Sequence, residues 1–528
     1  MLTELLSFRG RYKILHMTWF AFFLSFFVWF NLAPLATQVK ADFGLEVSQI
    51  RTLAICNVAL TVPARIIIGM LLDRFGPRIT YSLLLIYAAI PCITFASAQN
   101  FTQLVISRLA LSIVGAGFVI GIRMVAEWFP PKEIGLAEGI YGGWGNFGSA
   151  GAALTLPTIG AWLAFGALNP QTGEALLNWR LCIAGSGVVA ALYGILYFFN
   201  VQDHPPGKVY QKPKSARGLE VTSVGDFWFL MLMNLPLSGI LGVLAWRLKK
   251  VGLYGDNTLY LVWAGLAALY LFQAYNCLVV NKDLLSGRKK YPPKDRYSFS
   301  QVAILELTYV VNFGSELAVV SMLPAFYEGT FALNKALAGM IAASYAFMNL
   351  ASRPGGGFIS DRLGSRKNTM AILTAGMGIG YLMMGGVNDG WWLPLAILLT
   401  MACSFFVQAG EGSTFAIVPL VKRRVTGQIA GNVGAYGNVG AVAYLTIFSL
   451  LPEWLSGGGE QTAAVIAQSN TVFFQMMGVA ALIVAFMCWF LLKEPKGSFA
   501  EHHEGEEDES GLNQGSEIPV GMNPNDII

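Results

Sequence analysis

The sequence predicts an all-α polytopic membrane protein: two parallel six-helix repeats plus a central insert of two extra helices. Three observations carry this. Of 528 residues, 55% are hydrophobic and only 12% charged, with a mean hydropathy of +0.55, whereas a soluble protein carries about 25% charged residues. Apolar runs of the roughly 20 residues needed to cross a bilayer recur along the chain. Finally, two motifs repeat in step. RIIIGMLLDRFGPR at 65–78 returns as RPGGGFISDRLGSR at 353–366, an offset of 288 residues (Arg65 to Arg353). GIYGGWGNFGSAG at 139–151 returns as GNVGAYGNVGAVA at 431–443, an offset of 292 (Gly139 to Gly431). Independent motifs at nearly one spacing point to duplicated halves.

Taken in order, residues 1–200 form an N-terminal bundle with spans at 13–37, 50–72, 79–98, 102–129, 134–165 and 178–200. Residues 201–300 are the insert, with apolar runs at 226–246 and 258–281 between basic, proline-bearing linkers. Residues 301–494 form the second bundle, with spans at 301–325, 337–358, 369–388, 391–420, 427–452 and 470–493. The tail, 495–528, contains EHHEGEEDES, lacks a hydrophobic period and reads as disordered and cytoplasmic. Short loops carrying Arg74, Arg78, Lys132, Arg362, Arg366 and Lys422–Arg424 are basic, which puts them and both termini on the cytoplasmic side of the cell membrane. Both Asp-Arg loops lie on that side, so the insert adds either no span or two. Two is the expectation, although it leaves Arg247, Lys249 and Lys250 outside.

Composition also excludes chemistry. The six cysteines all lie within apolar runs, so neither a disulfide framework nor a metal site is expected. There is no nucleophile–base pair, so an enzyme is not expected, nor is any cofactor or nucleic-acid partner. The bilayer is the surrounding solvent, and a monomer the expected state.

The glycine motif admits a functional reading and a packing one. Gly143, Gly145 and Gly148, echoed by Gly434, Gly437 and Gly440, would let a helix or ligand approach the backbone. Packing alone does not require the asparagines, Asn146 and Asn438. Arg65 and Arg353 each sit about two turns into an apolar helix, where a charge is costly and normally faces a protein-lined interior. Pairing with an acid on another helix is one reading. The other is that two facing guanidiniums grip a small planar oxyanion by bidentate hydrogen bonds. On 301–325, Glu306, Tyr309, Asn312, Phe313 and Glu316 fall at helical spacing on one face. Their aromatics either sandwich a ligand or form a structural stripe. Glu306 and Glu316 are candidate proton-coupling groups, with fixed ion pairs as the alternative. Arg123 and Glu127, four apart, read as a structural or gating pair. Glu411 in QAGEGSTF is a weaker functional candidate.

The DRFGPR and DRLGSR loops (Asp73, Arg74; Asp361, Arg362) resemble the cytoplasmic gate motif of the major facilitator superfamily. The paired GGWGNFGSAG and GAYGNVGAVA resemble the signature of its nitrate/nitrite porter branch, cyanobacterial permeases above all. The resemblance spans twelve core helices but neither the insert nor the tail. It implies that Arg65 and Arg353 hold the anion, with Asn146, Tyr309, Phe313, Phe26 and Phe118 around it. It further implies a secondary transporter of nitrate and nitrite working by alternating access. The insert and the acidic Glu306 depart from the family pattern. Proton-coupled uptake is the leading expectation. Alternatives are nitrate/nitrite exchange without protons, an organophosphate or phosphate antiporter, and a transporter-like anion sensor. No extra basic partner is visible for a doubly charged phosphate, and no signalling domain for a sensor.

Overall fold

The computed structural model describes residues 5–167, 176–208, 210, 217–292 and 296–495. The expected disordered tail lies outside the described residues beyond Pro495. Among the described residues, eleven helices are long and apolar enough to cross a membrane; the helical segments at 134–163, 335–362 and 366–384 are not among them. We number fourteen helical segments in chain order. The first half holds α1 (Gly10–Phe43), α2 (Ser48–Phe75), α3 (Pro77–Ala96), α4 (Phe101–Trp128), α5 (134–163) and α6 (Trp179–Asn200). The insert supplies α7 (Val224–Lys250) and α8 (Asp256–Val280). The second half holds α9 (Phe299–Phe331), α10 (335–362), α11 (Arg366–Met384), α12 (Leu393–Val421), α13 (Arg423–Leu455) and α14 (Ala463–Phe490). Helix starts are written in the sequence: the side chains of Asn100, Asn178, Ser223, Asn334, Ser365 and Thr462 each accept a backbone N–H of the first turn. Between α2 and α3 the chain turns at Gly76 (φ +91°), where an added Cβ would also strike the Asp203 carboxylate.

Both insert helices have spanning length. A helix of α7's 27 residues is about 40 Å long. It runs beside α13 from end to end. Glu220, just before it, pairs with Arg424 at 3.0 Å. Midway, Tyr436 donates to the Met233 carbonyl. At the far end Lys250 reaches Glu453 at 3.4 Å. Of the three cations that sequence places outside, Lys249 pairs with Asp256 and Lys250 with Glu453, while Arg247 Nε has no hydrogen-bond partner among the described residues. Helix α8 exposes Leu261, Leu269, Leu271, Phe272 and Tyr275 along its outer face. Such a stripe is stable against lipid and not against water.

The two halves meet along α2–α13 and α5–α10. At one end of these seams the repeated aspartates make matching contacts. Asp73 accepts the backbone N–H of Gly427 (3.0 Å) and Gln428 (2.9 Å) at the start of α13. Asp361 accepts those of Gly135 (3.1 Å) and Leu136 (2.8 Å) at the start of α5. Each carboxylate satisfies orphan donors and meets the positive end of a helix dipole from the opposite half. Arg366 joins Asp361 at 2.7 Å, and Arg123 approaches Asp73 at 3.9 Å while pairing with Glu127 at 2.8 Å. Arg74 and Arg362 instead stay exposed, lying over the rings of Phe75 and Phe358.

Candidate anion-binding site

Arg65 and Arg353 are 0% and 1% exposed. The glycine motif of each half receives the arginine of the other. On α5, an added Cβ at Gly139 would meet the Arg353 carbonyl at 2.6 Å, and one at Gly142 the Arg353 Nε at 2.8 Å. On α13, a Cβ at Gly431 would meet the Arg65 carbonyl at 2.6 Å, and one at Gly434 the Arg65 Cδ at 3.1 Å. The next glycines clear aromatic rings: Gly145 faces Phe22, and Gly437 faces Tyr309 and Phe313. Gly148 and Gly440 then admit the backbones of α1 and α9, while Gly143 lies against the Asn349 carbonyl and Pro354. Helix packing and arginine placement are thus one arrangement rather than rival explanations. A further local device holds α10 to α5. Pro354 has no N–H to donate, which frees the Leu350 carbonyl, and Trp144 Nε1 donates to it instead at 3.3 Å.

The two arginines share Phe118, their guanidinium carbons lying 5.3 Å (Arg65) and 5.2 Å (Arg353) from its ring centre. Tyr309 lies parallel to Phe118 at 5.9 Å, and Phe313 parallel to Tyr309 at 5.1 Å. Phe415 stands edge-on to both Phe118 and Tyr309. Arg65 also lies 5.2 Å from the Phe313 ring. Rings and guanidinium groups together make flat, weakly polar walls lined with N–H donors, suited to a planar anion.

The partners of the two arginines differ. Arg65 donates to the carbonyls of Gly434 (2.5 Å) and Gly115 (3.3 Å), and its Nη2 has no partner among the described residues. No carboxylate lies within ion-pair distance of it among the described residues. Arg353 donates to the Tyr309 hydroxyl at 3.0 Å and pairs with Glu411 of α12 at 2.7 Å. The picture of two guanidiniums without acidic partners therefore holds for Arg65 and fails for Arg353, because the acid comes from another helix.

The single polar face expected on 301–325 is also corrected. The chain opens into a π-turn at Val310–Gly314, which adds a residue to the turn and rotates the helix beyond it. Tyr309 and Phe313 remain at the arginines. Asn312 turns to Thr414 (3.5 Å), and Glu316 accepts from Asn349 and from Gln408 (3.2 Å). Glu306 is buried with Tyr436 near it, and no described contact joins it to either arginine. Phe26 packs on Phe22, Trp29 and Phe30, while Phe22, one turn away, reaches Phe118 at 5.3 Å. Asn438 donates to the Gly434 carbonyl (3.3 Å) that also receives Arg65. Asn146 is buried at the break between the two segments of α5, and its side-chain oxygen has no donor. Sequence reasoning did not place Phe22, Phe415 or Tyr141, whose ring stacks on Phe22 at 5.0 Å and Phe118 at 6.1 Å, nor Glu411 as the acid beside Arg353. Phe415, four residues after Glu411 in QAGEGSTF, was legible as one helical face.

The insert is tied to the site's scaffold at the Asp73/Asp361 end. Glu220 takes Lys289 (2.8 Å), the Tyr291 hydroxyl and Arg424. Burial works to raise its carboxyl, but the hydrogen bonds from Lys289 and Tyr291 and the Arg424 charge outweigh it, holding the group below its usual value of 4.5.

A family profile described as Major Facilitator Superfamily matches residues 18–283 and 305–518. The chain belongs to the major facilitator superfamily. It is 67% identical to a protein named nitrate/nitrite transporter NrtP from Picosynechococcus sp., over 96% of this chain and 97% of that one. It is 56% identical to the NrtP of Nostoc punctiforme, over 97% and 98%. A rice protein named high-affinity nitrate transporter 2.3 is 28% identical over 82% of this chain and 71% of its own length. Among solved structures, a double Trp mutant of XylE superposes with a TM-score of 0.61 at 15% identity, covering 92% of this chain and 97% of that one. That likeness bears on the fold alone. As a member of this superfamily the chain is a multi-pass membrane transporter and not an enzyme.

Proposed function

We propose that the chain carries nitrate and nitrite across the cytoplasmic membrane by alternating access, with the anion held between Arg65 and Arg353 and uptake coupled to protons. The observation that carries this reading is the pair of buried guanidinium groups, one from each half, on the single ring of Phe118. Relatives at 67% and 56% identity, both named nitrate/nitrite transporters, support the substrate. A trigonal monoanion offers coplanar oxygens to two donor forks while its faces rest on rings. Phe118, Tyr309 and Phe313 supply those rings, and Asn146 and Asn438 the flanking amides.

In this reading the inside end is the one carrying Asp73 and Asp361, and both termini are cytoplasmic. The two capping contacts hold that end shut while the anion enters from outside. Opening inward requires Asp73 to leave the start of α13 and Asp361 to leave the start of α5. The glycine seams then let the halves rock on either side of the site. Uptake of labelled nitrate into proteoliposomes, with unlabelled nitrite as competitor, tests the reading. Saturable uptake that nitrite suppresses is expected, and organophosphate should not compete. Uptake indifferent to nitrite contradicts the substrate assignment.

A further inference from the structure

We propose that Glu411, paired with Arg353 and facing Glu316, is the group whose protonation couples anion entry to proton entry. The inference rests on the nitrate/nitrite reading and names a coupling residue within that site. Glu411 is fully buried on α12, with Oε2 2.7 Å from Arg353 Nη1. Among the described residues, neither of its oxygens accepts a well-formed hydrogen bond from an N–H or O–H donor, and the same is true of Glu316 Oε2. Gln408, which donates to Glu316 at 3.2 Å, is three residues before Glu411 on the same face of α12, and this brings the two carboxyl groups together. Two acceptor-only carboxylates facing each other in a buried site repel, so Glu411 takes up a proton once an anion displaces it from Arg353. Glu316 is held in place for this by Asn349 and Gln408.

The other groups facing the pair are known. Arg353 comes from α10 and Tyr309 from α9, and the Arg65 charge reaches Glu411 from α2. Glu138 of α5 faces Arg353, with both oxygens buried and without donors. Glu306 is not part of the group; it lies toward Tyr436.

Protons and charge balance around the cycle. With the site empty, Glu411 is ionised and neutralises Arg353. A proton from outside water adds to a Glu411 oxygen, and the ion pair to Arg353 breaks. The guanidinium donors then take the incoming anion's oxygens, while the Glu411 O–H donates to Glu316. After reorientation the anion leaves, the proton passes to cytoplasmic water, and Glu411 pairs with Arg353 again. One anion and one proton cross in the same direction, and no other reactant is needed. The empty site returns with Arg353 neutralised, which lowers the barrier to moving a bare guanidinium through low dielectric.

The test is titration calorimetry of nitrate into the purified full-length protein, in buffers of differing ionisation enthalpy, which counts protons taken up per anion. The expected wild-type result is about one proton per nitrate near neutral pH. Glu411→Gln should bind nitrate with almost no proton uptake and with an affinity that no longer varies with pH. Glu306→Gln should keep the wild-type proton count. Wild-type binding without proton uptake overturns the inference while leaving the nitrate reading intact. So does proton uptake that survives in a folded Glu411→Gln, or loss of nitrate binding in that folded variant. Absence of any nitrate heat in wild type defeats the underlying reading instead. If Glu411→Gln does not fold, Glu316→Gln decides: a displaced pH profile of proton uptake supports the pair, and a superimposed one overturns it.

Discussion

Arg65 and Arg353 sit at matching points of two copies of one motif, yet they are held differently. Both are received by a glycine pair from the opposite half, and both lie over Phe118. Arg65 rests on backbone carbonyls, which stabilise its charge without cancelling it. Arg353 rests on a carboxylate. The two motif copies give the arginines like backbone surroundings and different charge environments. In the proposed anion site, the empty state leaves Arg65 on backbone carbonyls alone and Arg353 beside a carboxylate.

The largest expected effect comes from replacing either arm. Arg65→Lys or Arg353→Lys keeps the charge and loses the fork, and one charged hydrogen bond contributes about 1.5–3 kcal/mol. Nitrate uptake at low concentration should fall at least about tenfold in each, at normal expression. Near-normal affinity in either variant breaks the two-arm account. The glycine pairs sharpen the comparison. An added methyl at Gly142 meets Arg353 Nε at 2.8 Å, whereas at Gly434 it meets Arg65 Cδ at 3.1 Å. Gly142→Ala should therefore impair uptake more than Gly434→Ala, and Gly145→Leu should block turnover by striking Phe22. Equal, mild effects in all three would show that the seams are looser than described.

Smaller effects separate the flanking amides. Asn438 shares the Gly434 carbonyl with Arg65, so Asn438→Ala should raise KM for nitrate by a few-fold, about 1 kcal/mol. Asn146→Ala should do the same by removing an amide that can turn to present its N–H. An unchanged KM in both places these amides in packing only. The smallest effect lies at the insert. Glu220 is held below 4.5, so its stabilisation is present at neutral pH and is lost as pH falls through its lowered value. Glu220→Gln should lower the melting temperature by a few degrees at pH 7, and the gap should close in acid.

The fold was legible because most of its helices are apolar runs and each motif copy carries an arginine within one. The arginines and the glycine motif single out the proposed site in the sequence, and the fold brings Tyr309, Phe313 and Phe118 to the arginines. What escaped depends on contacts between helices. The partner of Arg353 lies on α12, 58 residues along the chain (353 to 411), where spacing along one helix says nothing. The π-turn at Val310–Gly314 broke a face drawn on a constant 3.6-residue period, sending Glu306 and Glu316 in different directions. Phe22 and Phe26 are one turn apart on α1, too close for periodicity to rank.

The central claim is that one anion bridges Arg65 and Arg353. A double-mutant cycle on nitrate binding tests it directly, comparing wild type, Arg65→Lys, Arg353→Lys and the double variant by calorimetry. If one anion needs both forks, the double variant binds little worse than either single one, giving a coupling of at least about 1 kcal/mol. Losses that simply add would mean that the two arginines act at separate places, and the bridged site would be wrong.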